Sequence, residues 1–336
     1  MNAVKTKGRS LLRWLPGVLI SLAAVYFLSK FISLDDLLTA VKSLTTQDIA
    51  VIILLNVLSF IARSMGWKNL LDGISFKQAF LIINEGYLFN NLVPRSGEVV
   101  RMLLVGGLSK ISAFQAASSI LVERSLDVIV AAALFLSTLP LVVEMNWIKP
   151  IAWTLFILFI VMIVVLMILA RHADQVKQWL ANWQIRSTLL KEKVFPKIGS
   201  VLDGLATLND PLKFARSIFW ILMSWVCWIA LLYFGITRIS SGTVPLWRAI
   251  FTQGVLALGI ALPSAPASIG VYEGTMVAAL AIFGYSESAS LSIALVLHFT
   301  QIAITSIFGI YGLMVQGQSI SALLDRIRKR RGQASG

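Results

Sequence analysis

Long apolar runs are the feature that most limits how this chain can fold. Six of them approach the roughly 20 residues that a helix needs to cross a bilayer, and they lie at about 14–32, 48–67, 113–143, 151–170, 214–236 and 288–315. Hydrophobic residues make up 57% of the chain and charged residues only 13%, which is typical of a membrane protein and not of a soluble domain. The pattern predicts an all-α, polytopic integral membrane protein, with residues 1–336 forming a single membrane domain.

The first apolar run, 14–32, follows the basic residues Lys5, Lys7, Arg9 and Arg13. It is longer than the apolar part of a typical cleaved signal peptide, and no small-residue cleavage site follows it. We therefore expect a retained signal-anchor helix.

Two further pairs of apolar segments, 79–93 with 99–108 and 249–262 with 269–283, are short for a crossing at ~1.5 Å per helical residue. Each pair is interrupted by a turn rich in Pro, Ser and small residues. We interpret them as two re-entrant helical hairpins, with two tilted full spans per pair as the alternative. The residues assigned to the hairpin turns are Asn90, Asn91, Pro94, Gly97, Pro263, Pro266 and Gly270.

The basic residues predict the orientation in the membrane. The net charge is +13, and the clusters border apolar runs, which favours contact with anionic headgroups over nucleic acid. The N-terminus, a linker at about 171–213 and a tail at 316–336 should be cytoplasmic. The order helix, hairpin, helix then occurs over about 48–143, the first unit, and again over 214–315, the second unit, in opposite orientations. An inverted repeat of this kind is a transporter architecture, although a duplication without transport is the alternative.

Four charged residues stand between apolar segments in the first hairpin: Glu85, Arg95, Glu98 and Arg101. Hydrocarbon penalises one charge by roughly 2.5–3.5 kcal/mol on insertion scales, so they must pair, face a wet cavity or lie outside the bilayer core. Ser96 is a candidate helix N-cap. Glu98 and Arg101 are three apart and could pair, which leaves Arg95 for a lipid phosphate. The alternative is that these charges only shape the turn or reach the membrane surface.

A second charged group, Glu123, Arg124 and Asp127, lies deep in the run 113–143. Spacings of three and four residues place these side chains on one helix face. We expect them to face the hairpin and to join Arg95 or Arg101 in a salt-bridge network. Binding of a lipid headgroup and a purely structural network are both open at this point.

The second hairpin unit is less charged and contains Glu273, followed by His298 on the last apolar run. His298 aligns with Arg124 in the repeat, so a titratable group stands where the first unit has a fixed cation. We predict proton coupling through Glu273 and His298, with a hydrogen-bonded core histidine as the alternative. The lone Cys227, two histidines and the absence of a phosphate-loop or His-Glu-x-x-His motif predict no metal, no cofactor and no enzymatic activity.

Three segments, 88–101, 122–127 and 262–273, together resemble the lysylphosphatidylglycerol synthase transmembrane-region family, a flippase-like domain family that includes the membrane half of the bacterial multiple peptide resistance factor. The resemblance implies movement of lipids between leaflets, of aminoacylated phosphatidylglycerol in the best-known case. Two departures are a Pro-Ser-Ala-Pro-Ala-Ser-Ile-Gly turn where the family tends to have Pro-Gly-Gly, and His298 where an arginine is often seen. The residues that match the family pattern are Pro94, Gly97, Glu98, Arg101, Glu123, Arg124, Asp127, Pro263, Gly270 and Glu273.

We therefore expect a flippase in a bacterial-type cytoplasmic (inner) membrane that binds the headgroup of a phospholipid or polyprenyl-phosphate lipid. The headgroup residues are predicted to be Arg95, Glu98, Arg101, Glu123, Arg124, Asp127 and Glu273. Because the sequence ends soon after its last apolar run, we expect a stand-alone member without the lysyl-transferring domain, with a separately encoded lipid-modifying enzyme as a conceivable partner. The alternatives are a membrane enzyme or accessory subunit acting on such lipids, and an ion-coupled small-solute carrier.

Overall fold

The computed structural model describes residues 44–71, 73–108, 113–142, 172–182, 210–240, 243–261 and 264–323, together with single positions between these ranges. Within the described residues the chain forms helices and turns and contains no strand, so the predicted all-α class is confirmed. The helices are α1 Thr46–Leu70, α2 Phe76–Leu92, α3 Gly97–Leu108, α4 Ala113–Val142, α5 Ala173–Asn182, α6 Pro211–Ile239, α7 Leu246–Ile260, α8 Val271–Ala281 and α9 Glu287–Val315. A short 3-10 turn, Pro266–Ser268, lies between α7 and α8.

Four helices, α1, α4, α6 and α9, are long and apolar enough to cross a membrane. They coincide with the predicted spans at 48–67, 113–143, 214–236 and 288–315. The predicted spans at 14–32 and 151–170 lie outside the described residues, apart from single positions in the second. A polytopic membrane protein follows from these four helices.

Polar capping residues set the starts of several helices. Thr45 and Asp48 form a capping box at α1, and Ser75 and Gln78 form one at α2. Asp210 accepts hydrogen bonds from two backbone amides at the start of α6, where Pro211 needs no such partner. Each cap satisfies amides that the first helical turn leaves without partners.

The two predicted hairpins are helical on both arms. In the first, α2 and α3 flank a turn in which Arg95 has a positive φ of 56°. A methyl group on Gly97 would overlap the Gly86 carbonyl oxygen, so the two arms cross closely at these glycines. Whether the arms turn back inside the bilayer stays a prediction.

The first helices of the two units, α1 and α6, pack along each other in opposite directions. Asp48, near the start of α1, pairs with Arg238, near the end of α6. A Cβ on Gly66, near the end of α1, would lie 3.4 Å from the Ser217 carbonyl oxygen near the start of α6. These two contacts at opposite ends establish that the helices are antiparallel.

Helix contacts in the two units correspond. The last helix of each unit packs on the first hairpin arm of the other, α4 on α7 and α9 on α2. Within the units, α3 packs on α4 as α8 packs on α9, and α1 packs on α2 as α6 packs on α7. This exchange is what two copies of one unit would produce; the inverted repeat itself stays a prediction.

Candidate functional site

Six charged side chains from three helices meet inside the first unit. We call them the ionic cluster: Arg63 on α1, Glu98 and Arg101 on α3, and Glu123, Arg124 and Asp127 on α4. Three are cations and three are carboxylates, so their formal charges cancel.

Arg63 holds the centre of the ionic cluster and is 1% exposed. Its Nε donates to Glu123 Oε1 at 2.8 Å, and its Nη1 donates to Asp127 Oδ1 at 2.6 Å. Glu123 and Asp127 are one helical turn apart, which lets a single guanidinium reach both. Arg63 was not predicted as a site residue, because one charge does not interrupt the apolar run 48–67. An arginine inside a predicted span is nevertheless a usable signal.

Arg101 is the second cation on Glu123. Its Nη2 donates to Glu123 Oε2 at 2.5 Å, and its guanidinium carbon lies 4.1 Å from the centre of the Trp67 ring. The Trp67 ring is itself held by a 3.0 Å hydrogen bond from Nε1 to Ser119 Oγ. The structure thus places Arg101 in the network with the α4 carboxylates, as the sequence predicted, and Glu123 is buried between two guanidiniums.

The accessible edge of the ionic cluster is the pair Glu98 and Arg124, whose side chains are 33% and 39% exposed and 3.3 Å apart. The predicted pairing of Glu98 with Arg101 is wrong. The stem of Arg101 lies against Gly86, where an added Cβ would be 2.9 Å from its Cγ, and its guanidinium contacts Glu123. Arg124 also lies 3.4 Å from Asp127.

Two tryptophans of α6 border the ionic cluster from the second unit. Trp225 Nε1 donates to Asp127 Oδ1 at 3.2 Å, and the Trp228 ring centre lies 5.6 Å from the Arg63 guanidinium carbon. Asp127 therefore accepts from both units, which links the ionic cluster to the packing of α1 against α6. Neither tryptophan was predicted to belong to the site.

Arg95 lies outside the ionic cluster, at the tip of the first hairpin. Its side chain is exposed, and Nη2 donates to the carbonyl oxygen of Ala261, just beyond α7, at 2.8 Å. This hydrogen bond joins the two hairpins at their turns. Of the two cations predicted to join the carboxylates of α4, Arg101 is the one that contacts Glu123.

The residues of the two predicted turns differ in their contacts. Ser96, the expected N-cap of α3, is buried. Its hydroxyl donates to the carbonyl oxygens of Phe89 and Val93 at 2.8 and 2.7 Å, and so provides a hydrogen-bond donor to carbonyl groups at the C-terminal end of α2. Asn90 Oδ1 accepts from the Gly97 amide at 2.8 Å and supplies the cap. In the first turn, Asn91 contacts Thr305 on α9, and Pro94 lies within the turn. In the second, Pro266 begins the 3-10 turn and Gly270 has a φ of 84°. Pro263 lies outside the described residues.

Glu273 and His298, predicted as a titratable pair, are in contact. His298 Nδ1 lies 2.6 Å from Glu273 Oε1, and both side chains are buried. Glu273 Oε2 accepts from the Gly270 amide at 2.7 Å, and the Tyr272 ring stacks on His298 with centres 4.1 Å apart. The pair bridges α8 and α9 as Glu98 and Arg124 bridge α3 and α4, so His298 and Arg124 occupy corresponding contacts.

The sequence was compared with known protein families and with curated proteins. Residues 14–309 match the family described as the transmembrane region of lysylphosphatidylglycerol synthase. A comparison with curated proteins gives no match. Among the described residues, no group of three or more His, Cys, Asp or Glu side chains is arranged to hold a metal ion.

Proposed function

This chain therefore belongs to the lysylphosphatidylglycerol synthase transmembrane-region family, and we propose that it moves a lipid with an anionic headgroup between the two leaflets of a bacterial-type inner membrane. The lipid would be a phospholipid or a polyprenyl-phosphate lipid. The N- and C-termini would be cytoplasmic, as the basic residues predict.

The observation that carries the proposal is the layered order of the ionic cluster. Arg63, Glu123 and Arg101 form a buried floor, while Glu98 and Arg124 form an edge that solvent reaches. Opening a buried pair would leave a charge without a partner, which is costly. Opening the edge pair is cheaper, because it is weakly paired and partly hydrated.

A headgroup phosphate can take the place of Glu98 on Arg124. A guanidinium binds two phosphate oxygens at once, and Arg124 Nε contacts no acceptor within the described chain. The released Glu98 can then contact the amine of an aminoacylated or zwitterionic headgroup. With such a headgroup every charge stays paired during the exchange, as passage through a membrane of low dielectric constant requires. With a headgroup that has no amine, such as phosphatidylglycerol, the released Glu98 is hydrated at the exposed edge of the ionic cluster.

The helix arrangement supports movement around such a site. The antiparallel α1 and α6, and the exchange of contacts between α4, α7, α9 and α2, support an inverted repeat. In inverted-repeat transporters, one unit rocks against the other around a central site. Arg95, which joins the two hairpin turns, would add a cation on the headgroup path when that hydrogen bond opens.

Purified protein in liposomes tests the proposal. The inner-leaflet fraction of a short-chain fluorescent phosphatidylglycerol should become accessible to a membrane-impermeant quencher only in protein-containing vesicles, with no change in lipid composition by mass spectrometry. A new lipid species would point to an enzyme, and protein-dependent uptake of a soluble compound to a solute carrier. Fluorescence loss equal to that of protein-free vesicles would refute the flippase.

Replacing His298 by glutamine should reduce the pH dependence of translocation. Histidine as a residue type ordinarily changes charge between about pH 5 and 8, and a proton on His298 would convert its contact with Glu273 into an ion pair. We expect the wild-type rate to vary across this range and the His298→Gln rate to vary less, measured with the same vesicles. An unchanged pH profile in a variant that reconstitutes normally would assign His298 a purely structural role.

A further inference from the structure

Glu85 is a buried carboxyl group that the ionic cluster does not include. It lies on α2 and is 0% exposed. Among the residues that the structure describes, no donor completes a hydrogen bond to either of its oxygens. The Gln316 amide at the end of α9 lies beside it, but its nitrogen and oxygen also complete no hydrogen bond. An ionised carboxylate in these surroundings is very unfavourable.

Close helix packing seals the carboxyl group. A methyl group on Gly312 of α9 would overlap Glu85 Oε1, and a Cβ on Gly309 would lie 2.8 Å from the Asn84 carbonyl oxygen on α2. Two glycines one turn apart thus bring α9 against α2, a common way for membrane helices to pack closely. The carboxyl group is covered by a helix that belongs to the other unit.

Ionisable groups on the helices packed against α2 are directed elsewhere. Arg63 on α1 and Arg101 on α3 hold Glu123, and His298 on α9 contacts Glu273. The 3-10 turn that also touches α2 carries no ionisable side chain. Within the described chain, none of the following pairs with Glu85: Asp48, Arg63, Lys68, Glu98, Arg101, Glu287, His298 and Tyr311.

We propose that Glu85 is a proton-binding site, separate from the Glu273 and His298 pair, that keeps its proton while α2 and α9 are packed and releases it when they separate. On release the O–H bond breaks, its electrons stay on the carboxylate, and the proton passes to water that enters between the helices. A proton fits because it neutralises the group and adds no volume. A larger cation would need several oxygen ligands where Gly312 packs.

The inference rests on the proposed function in one respect: rocking of the two units would part α2 from α9 and so expose Glu85. The site would then couple the position of the first hairpin arm to the proton gradient. Occupancy of Glu85 by a proton can be measured without any transport, so the two proposals can fail independently.

Infrared spectroscopy of the purified protein in bilayers tests the site. The wild type should show the carbonyl stretch of a protonated carboxyl group at neutral pH, and the band should disappear only in alkaline solution, because burial disfavours the charged carboxylate. Glu85→Gln, which has the shape of the neutral acid, should lack this band, and Glu85→Asp should shift it. Glu287→Gln, at the exposed start of α9, is the matched control and should leave it unchanged.

The titration is repeated with sodium replaced by a bulky organic cation at constant ionic strength. A band at neutral pH that depends on Glu85 and is insensitive to sodium supports the proposal. A spectrum at neutral pH that Glu85→Gln and Glu85→Asp both leave unchanged would show an ionised Glu85 and overturn it. A band that sodium abolishes would also overturn it, in favour of a metal-cation site.

Discussion

Replacing Arg63 by methionine should cost the protein about 3–5 kcal/mol of folding stability, a large part of the roughly 5–15 kcal/mol that holds a typical domain folded. Arg63 is 1% exposed and binds Glu123 and Asp127 at once. Without it, among the described residues, Asp127 keeps its contacts with Trp225 and, at 3.4 Å, with Arg124, while Glu123 keeps its contact with Arg101. Thermal unfolding of the detergent-solubilised variant measures the loss.

A second substitution separates charge from packing in this test. The double variant Arg63→Met with Asp127→Asn removes one charge of each sign and leaves Glu123 with Arg101 and Glu98 with Arg124. It should recover much of the stability that Arg63→Met alone loses. Arg216→Met, an exposed arginine on α6, controls for the loss of an arginine. A double variant no more stable than the single one would show that Arg63 acts through its packing.

Much of the fold could be predicted from residue types, because hydrophobic length is a local property. The runs 48–67 and 214–236 became α1, Thr46–Leu70, and α6, Pro211–Ile239, with ends extended to their capping residues. Membrane helices need about 20 apolar residues whatever they pack against. How the helices are arranged against one another depends on long-range packing. The only part of that arrangement predicted from the sequence was the opposite orientation of the two repeated segments.

The site could be predicted only where its contacts are local or repeated. Spacing along α4 correctly grouped Glu123 with Asp127. The same rule failed for Glu98 and Arg101, because it counts neighbours on one helix while α4 offers each residue a better partner across the helix interface. The partners of Arg63 could not be predicted by this rule either, because they are 60 and 64 residues away in the sequence.

The structure also changes which residue best tests lipid binding. The sequence placed Arg101 among the predicted headgroup residues. In the fold, Arg101 belongs to the buried floor and is 4% exposed, so its removal would confuse lost stability with lost binding. Arg124 is 39% exposed and pairs at the edge, which makes it the cation of the ionic cluster that a headgroup can reach.

Replacing Arg124 by glutamine should therefore slow lipid translocation by about tenfold or more, equivalent to about 1.4 kcal/mol of lost headgroup interaction. Glu98→Gln should have the opposite effect on binding, because Glu98 competes with the phosphate for Arg124 in the resting state. Translocation is measured in vesicles, and bound phosphatidylglycerol by native mass spectrometry. Arg216→Gln serves as the exposed arginine control.

The opposite signs distinguish a binding site from a structural ion pair. If the Glu98 and Arg124 contact only held α3 against α4, removing either partner would break the same bond and weaken the protein alike. If Arg124 receives the headgroup, Glu98→Gln frees Arg124 to bind it, and Arg124→Gln abolishes headgroup binding. Arg124→Lys should lie between, since an ammonium keeps the charge but cannot bind two phosphate oxygens as a guanidinium does. Equal losses of bound lipid in Glu98→Gln and Arg124→Gln would exclude the edge of the ionic cluster as the headgroup site.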